Sequence, residues 1–322
     1  MSSSSTGSST GSSTGSSRAV KVSLVPSMVK ADALVGMVAV VVDQLRASTT
    51  ICTALANGAK EVKPYLEPMQ AMQAKARYRE GTAILGGERM GRRIEGFDCG
   101  NSPAEFSRDK VSGKVVLFTT TNGTRVLYHA ARAERVVVGC LANLNCLVEF
   151  LEHEKRDVHI VCAGVRGELA NEDVLAAGAI VSRLMMVVPE DLGAETRSVW
   201  RPDDGAMLAL GFWRRASATP EDLLEAMRVS IGGRNLVSIR MGADVALCTR
   251  VSTLRVVPEF DRNSTSLRGA RLPKDPPMKM VGLEELAGEG VAESRKEDEA
   301  SEGTGMGTGE GTAVDAEAAP KG

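Results

Sequence analysis

The chain has 322 residues, a formal net charge of −2, 43 % hydrophobic residues and only 3 % aromatic ones. That length suits one large domain or two lobes, and the scarcity of aromatics among the basic residues argues against a nucleic-acid surface. No apolar run approaches the ~18 residues of a membrane span, and six scattered cysteines without a CxxC pair read as reduced thiols of a cytoplasmic protein.

After Met1 the chain is Ser, Thr and Gly only as far as Ser17, with TGSS in tandem. Such a segment has nothing to bury and lacks the basic and apolar regions of a signal peptide, so 1–18 is expected to be a disordered tail. The far end, 278–322, is expected to be a second disordered tail, and it is strongly acidic. Its charge leaves the body, 19–277, mildly basic, which suits an anionic ligand.

Within the body, residues 37–42 are a continuous apolar, β-branched run, the pattern of a strand buried on both faces. The run ends on Asp43. Arg46, Ser48, Thr49 and Thr50 follow, and then a helical stretch closed by Asn57 and Gly58. Free amides, a helix dipole, hydroxyls and an Arg at such a junction favour an anion. An acid facing that anion calls for a cation between them, and Mg2+ is the usual one. The same residues also suit an ordinary capped helix in which Asp43 pairs with Arg46.

Further on, the patterns predict a strand at 61–66, a helix at 67–80 and a strand at 82–85 that runs into Gly86-Gly87-Glu88-Arg89. The loop 90–106 carries Ser102, Pro103 and Glu105 in the places of a helix cap, a first helical residue and a capping box. Asp98 and Asn101 are left over and are candidates for metal or substrate. A strand at 114–118 leads into Thr119 to Thr124, Arg125 and a helix through residue 132. A strand at 135–139, a helix at 145–154, a strand at 157–162 and a helix at 172–186 complete the regular part. Later patterns predict a helix at 220–229, a short helix within 232–242 and a pair of short strands within 245–260. Strands that alternate with helices predict an α/β fold, layered α/β/α around a mostly parallel sheet.

Asp43, Glu88, the 119–124 cluster and the loop 164–173 each follow an apolar strand directly. Open α/β sheets bind ligands beyond the carboxyl ends of their strands, so these groups are expected to share one crevice. Thr120, Thr121, Asn122, Gly123, Thr124 and Arg125 read as a phosphate or carboxylate cradle, or equally as a capped helix, and they lack the Walker Gly-Lys-Ser/Thr. Arg166 and the adjacent Glu172 and Asp173 stand at another helix start. The three histidines, 129, 153 and 159, lie away from these loops, so a Ser-His-Asp arrangement has no base. Cys99 has no surrounding phosphate cradle.

Taken together, VVDxLRA(S)TT, GGER, GFDxGNSP, TTTNGTR, AGxxG followed by EDVLxAGAI, and SxGGRNL resemble the 2-phosphosulfolactate phosphatase family over about residues 20–258. The resemblance implies a phosphatase domain over 19–277 and Mg2+-dependent hydrolysis of (2R)-2-phospho-3-sulfolactate, a step on the route to coenzyme M. Gln44 and Cys99 stand where the family suggests aliphatic residues, and Ala176 where it commonly has Cys. A substrate with phosphate, carboxylate and sulfonate needs cations, and Arg46, Arg89, Arg125, Arg166 and Arg234 are available. On this reading Asp43, Glu88 and Asp98 hold Mg2+, and Glu172 or Asp173 handles a proton beside Asp43. The partner is a small anionic phosphoester, with no nucleic acid and no membrane, and a homo-oligomer is left open. Alternatives are a related Mg2+-dependent phosphatase for another phosphoester and a non-catalytic phospho-acid binding module.

Overall fold

The computed structural model describes residues 17–186 and 199–272. Its strands are β1 (Ser17–Ser23), β2 (Val38–Val42), β3 (Glu61–Pro64), β4 (Ala83–Arg89), β5 (Arg92–Arg93), β6 (Val115–Thr119), β7 (Arg135–Gly139), β8 (Val158–Cys162), β9 (Val199–Pro202), β10 (Pro258–Asp261) and β11 (Ser266–Gly269). The α-helices are α1 (Ala47–Ala56), α2 (Pro68–Lys75), α3 (Arg108–Val111), α4 (Gly123–His129), α5 (Leu144–Glu152), α6 (Asn171–Met186), α7 (Asp204–Ala216), α8 (Pro220–Val229), α9 (Ile231–Ser238) and α10 (Gly242–Cys248).

One sheet runs β5-β4-β6-β3-β11-β10-β7-β2-β8-β1-β9. Two stretches of it, β4-β6-β3 and β7-β2-β8-β1-β9, pair entirely in parallel. The antiparallel hairpin β10–β11 joins them, β10 to β7 and β11 to β3. Two ion pairs accompany the join, Arg135 with Glu259 at 2.7 Å and Arg268 with Glu61 at 2.6 Å. The two halves are therefore lobes of a single sheet.

Both faces are covered, which is why β2 reads as an unbroken apolar run. Val38, Val40 and Val42 pack with α5, α6 and α7, while Ala39 and Val41 pack with α1 and α4 on the other side. The layered α/β/α arrangement expected from the sequence is thus present.

The structure departs from expectation in several places. Ser17 and Arg18 belong to β1, so the first strand takes in the last two residues of the segment read as a tail; residues 1–16 and the whole of 278–322 lie outside the described residues. Arg18 is buried, donating to the Leu151 carbonyl at 2.8 Å and stacking 3.9 Å over the Trp200 ring. Residues 242–248 form α10, and the expected strand pair sits further on as the bridging hairpin, because a four-residue apolar run carries no decisive period. β4 extends to Arg89 because β6 continues beside it, with Gly87 opposite Thr119. The helix predicted at 67–80 ends at Lys75. Ser102 and Pro103 stand at the expected cap and first helical positions of a single 3-10 turn, Pro103–Glu105, but the Ser102 hydroxyl makes no cap bond and donates to Asp244 at 2.7 Å.

Candidate active site

Asp43 is the residue after β2, at the carboxyl edge of the sheet. Its carboxylate accepts the Ala47 amide at 3.2 Å, its carbonyl accepts the Ser48 amide at 2.8 Å, and its own amide donates to Ser48 Oγ at 2.9 Å. The acid itself therefore starts α1. Gly123, the first residue of α4, packs so closely that a Cβ there would stand 2.7 Å from Asp43 Oδ2. The carboxylate lies between the first turns of two helices. Burial pushes its pKa up to about 7 against the Ala47 hydrogen bond, with Glu88 and Glu172 adding repulsion.

Three more buried acids surround it. Glu88 lies near the end of β4, where Gly87 admits the close approach of Thr119, and its carboxylate accepts the amides of Gly91 at 2.7 Å and Thr121 at 2.8 Å. Asp173 accepts the amides of Gln44 at 2.8 Å and Gly164 at 2.9 Å, fastening the loop after β2 to the loop after β8. Burial raises its pKa well above the carboxylate range, and Asp43 and Glu172 raise it further. Glu172 is 1 % exposed and its Oε2 has no hydrogen-bond partner. Burial raises its pKa too, opposed by backbone amides and the Ser230 hydroxyl at the start of α9. A Cβ on Gly232 would overlap Glu172 Oε1, so a side chain there would displace that carboxylate.

Asp98 stands apart from this group. Its Oδ2 accepts from Lys75 at 2.6 Å and from the Leu85 amide at 2.7 Å. Partial burial alone would raise its pKa, but Lys75 and that amide outweigh it and lower it. The expected trio of Asp43, Glu88 and Asp98 is replaced by a grouping of Asp43, Glu88, Glu172 and Asp173. Among the described residues, no group of three or more His, Cys, Asp or Glu side chains is placed to hold a metal ion.

Arg46 does not pair with Asp43 and does not face solvent. It is 2 % exposed, ion-paired with Asp244 at 2.6 Å and bonded to the Gly91 carbonyl at 2.8 Å. The α1 hydroxyls are likewise engaged: Thr49 donates to the Gln44 carbonyl at 3.1 Å and Thr50 to the Asn101 carbonyl at 2.8 Å. Thr120 and Thr124 cap one another, each hydroxyl accepting the other's amide. Asn122 Oδ1 accepts the Arg166 amide at 3.2 Å, and the Thr121 hydroxyl is buried without a partner.

Arg89 is half-buried, its guanidinium held by the carbonyls of Glu88 and Leu66 and by the Thr119 hydroxyl. Arg125, Arg166 and Arg234 are exposed. Each is anchored within two residues of a group touching the acids: Arg125 follows Gly123, Arg234 follows Gly232, and Arg166 binds Asn122 through its amide. Arg125 approaches Glu67 at 3.8 Å, and Arg234 donates to the Val229 carbonyl.

Asp244, Ser230, Gly232 and Gln44 all act on the site without having been singled out for it. SxGGRNL was the signal for two of them; Asp244 gave none, its partner Arg46 being 198 residues away. A depression of about 410 Å3 lies elsewhere, on the bridging hairpin around Glu259, Arg262 and Arg268, and none of the four acids lines it.

The family model described as 2-phosphosulpholactate phosphatase matches residues 23–263, a span that contains all four buried acids. A relative named "probable 2-phosphosulfolactate phosphatase" from Symbiobacterium thermophilum is 39 % identical over 241 residues, covering 74 % of this chain and 97 % of its own length. Proteins of the same name from Caldanaerobacter subterraneus subsp. tengcongensis (36 % over 224 residues, 69 % and 86 % covered) and Thermotoga maritima (38 % over 220 residues, 68 % and 87 % covered) are similar to it as well.

Proposed function

Because the chain belongs to the 2-phosphosulfolactate phosphatase family, we propose that it hydrolyses (2R)-2-phospho-3-sulfolactate to 3-sulfolactate and phosphate with Mg2+. It is by family a phosphoric monoester hydrolase. The cytoplasm and the route to coenzyme M are the setting this reaction implies. Among the described residues no helix is long and apolar enough to cross a membrane.

The observation that carries the reading is the buried acid group at the strand ends. Acids that repel one another in a dry site, one with an oxygen left unbonded, suit a hard divalent cation. Asp43 would hold Mg2+ with Glu88 beside it, leaving Glu172 for the proton. Bound there, Mg2+ would neutralise phosphoryl oxygens and acidify a bound water.

The remaining work falls to the chain. The first turns of α1 and α4 put positive dipole ends next to Asp43, where a phosphate is favoured. Glu172, with Oε2 unpaired, is suited to take the proton of the attacking water as the phosphorus–oxygen bond to the substrate breaks in line, the leaving oxygen taking a proton from solvent water. Asp173 has both oxygens on backbone amides and holds two loops in register. Arg89, Arg125, Arg166 and Arg234 would take the carboxylate and sulfonate.

Phosphate release from a panel of phosphorylated hydroxy acids, with Mg2+ and with chelator, tests this. A lost charge-assisted pair costs about 1.5 to 3 kcal/mol, so phospholactate should react roughly one to two decades more slowly in kcat/KM than the sulfonated substrate. Equal rates would point to a general small-acid phosphatase. No release from any member would leave a binding module.

A further inference from the structure

The loop that carries Asp43 is gripped from both ends by one short helix far away in sequence. Near its start, α10 presents Asp244, 6 % exposed, whose Oδ2 pairs with Arg46 at 2.6 Å and whose Oδ1 accepts the Ser102 hydroxyl at 2.7 Å. At its end the Cys248 carbonyl accepts Gln44 Nε2 at 2.6 Å. Gln44 Oε1 accepts the Leu141 amide at 3.0 Å, so this fully buried amide is bonded on both sides. Between the two grips lies Leu45, and Asp43 precedes them.

The same contacts reach the other acids. Arg46 donates to the Gly91 carbonyl, while the Gly91 amide donates to Glu88. The Gln44 amide donates to Asp173. Asp244 is thus connected through Arg46 to Asp43 and Glu88, and Gln44 connects the other end of α10 to Asp173. A buried ion pair is a poor choice for stability alone, since well-packed apolar residues commonly do as well. What the pair supplies is a fixed guanidinium with partners in separate segments.

We propose that α10 is a clamp on the Asp43 loop and that Asp244 is a positioning residue for the phosphatase site, acting through Arg46. This rests on the phosphatase reading for its kinetic arm only.

The test is the double variant Arg46→Met/Asp244→Leu, which replaces the ion pair by apolar side chains. It is expected to melt within about 5 °C of the parent. In it, the amides of residues 47–50 should exchange with deuterium on the order of tenfold faster, and kcat should fall roughly tenfold or more while KM moves less than about threefold. Parental exchange at 47–50 together with parental kcat would overturn the clamp, leaving the pair as packing. Asp244→Asn, which keeps the side-chain shape, carries the same two readings if the double variant does not fold. Exchange is read without substrate, so a parent protein that releases no phosphate would overturn the phosphatase reading and still leave the clamp tested.

Discussion

At the scale of single residues, Asp43 carries the clearest physical signature. Its folded pKa, about 7, lies above that of an ordinary carboxyl group, so the native state holds a proton that the unfolded chain has already released. Stability from this group is therefore complete at low pH and falls as pH rises through roughly 4 to 7. Asp43→Asn should remove that fall in metal-free protein while lowering turnover by on the order of 10² to 10⁴-fold. Urea titrations at several pH values and phosphate release check the two halves. His159 works in the opposite sense: burial depresses its pKa to about 4, so it adds stability as pH rises from 4 to its ordinary 6.5. Only the difference between parent and variant isolates either residue. Gly232→Ala places a methyl group on Glu172, and its kcat/KM should drop about tenfold or more with a small change in melting temperature.

At the scale of elements, the bridging hairpin is the vulnerable part. β10 and β11 are four residues each, yet among the described strands they are the pair that joins the two parallel stretches of the sheet. Leu267 is fully buried opposite Val62 of β3. Leu267→Ala should cost about 2 to 5 kcal/mol in urea denaturation, the range for a buried leucine that leaves a cavity. Helix starts matter in a second way. α1 is begun by Asp43, so the cap and the site are one group, and weakening the cap displaces the acid as well.

For the whole molecule, the described body and the two ends separate cleanly by composition. Residues 1–16 and 288–322 are nearly free of large apolar side chains. A chain trimmed to 17–287 should keep its melting temperature within about 2 °C and its phosphate release within about twofold. Thermal melts and initial rates of the trimmed and full chains check this. A drop of several degrees would show that one of the ends docks on the body.

The sequence by itself determined what local periodicity can encode. Residues 37–42 read as a doubly buried strand, 135–139 and 157–162 as strands, 220–229 as a helix with Pro at its start, and acids or hydroxyls fell at the strand ends. Those are properties of a few adjacent residues, and burial on both sheet faces prints them directly into the chain. Which partner each polar group takes was decided only by tertiary structure. Asp98 went to Lys75 and left the acid group, and Arg46 went to Asp244, 198 residues on, and left the solvent. That the late strand pair joins the halves and that α10 clamps the Asp43 loop were equally hidden, since β10 and α10 are short and gain their meaning from neighbours distant in sequence. A charged side chain is satisfied by whatever lies within about 3 Å, and only the folded chain fixes what that is.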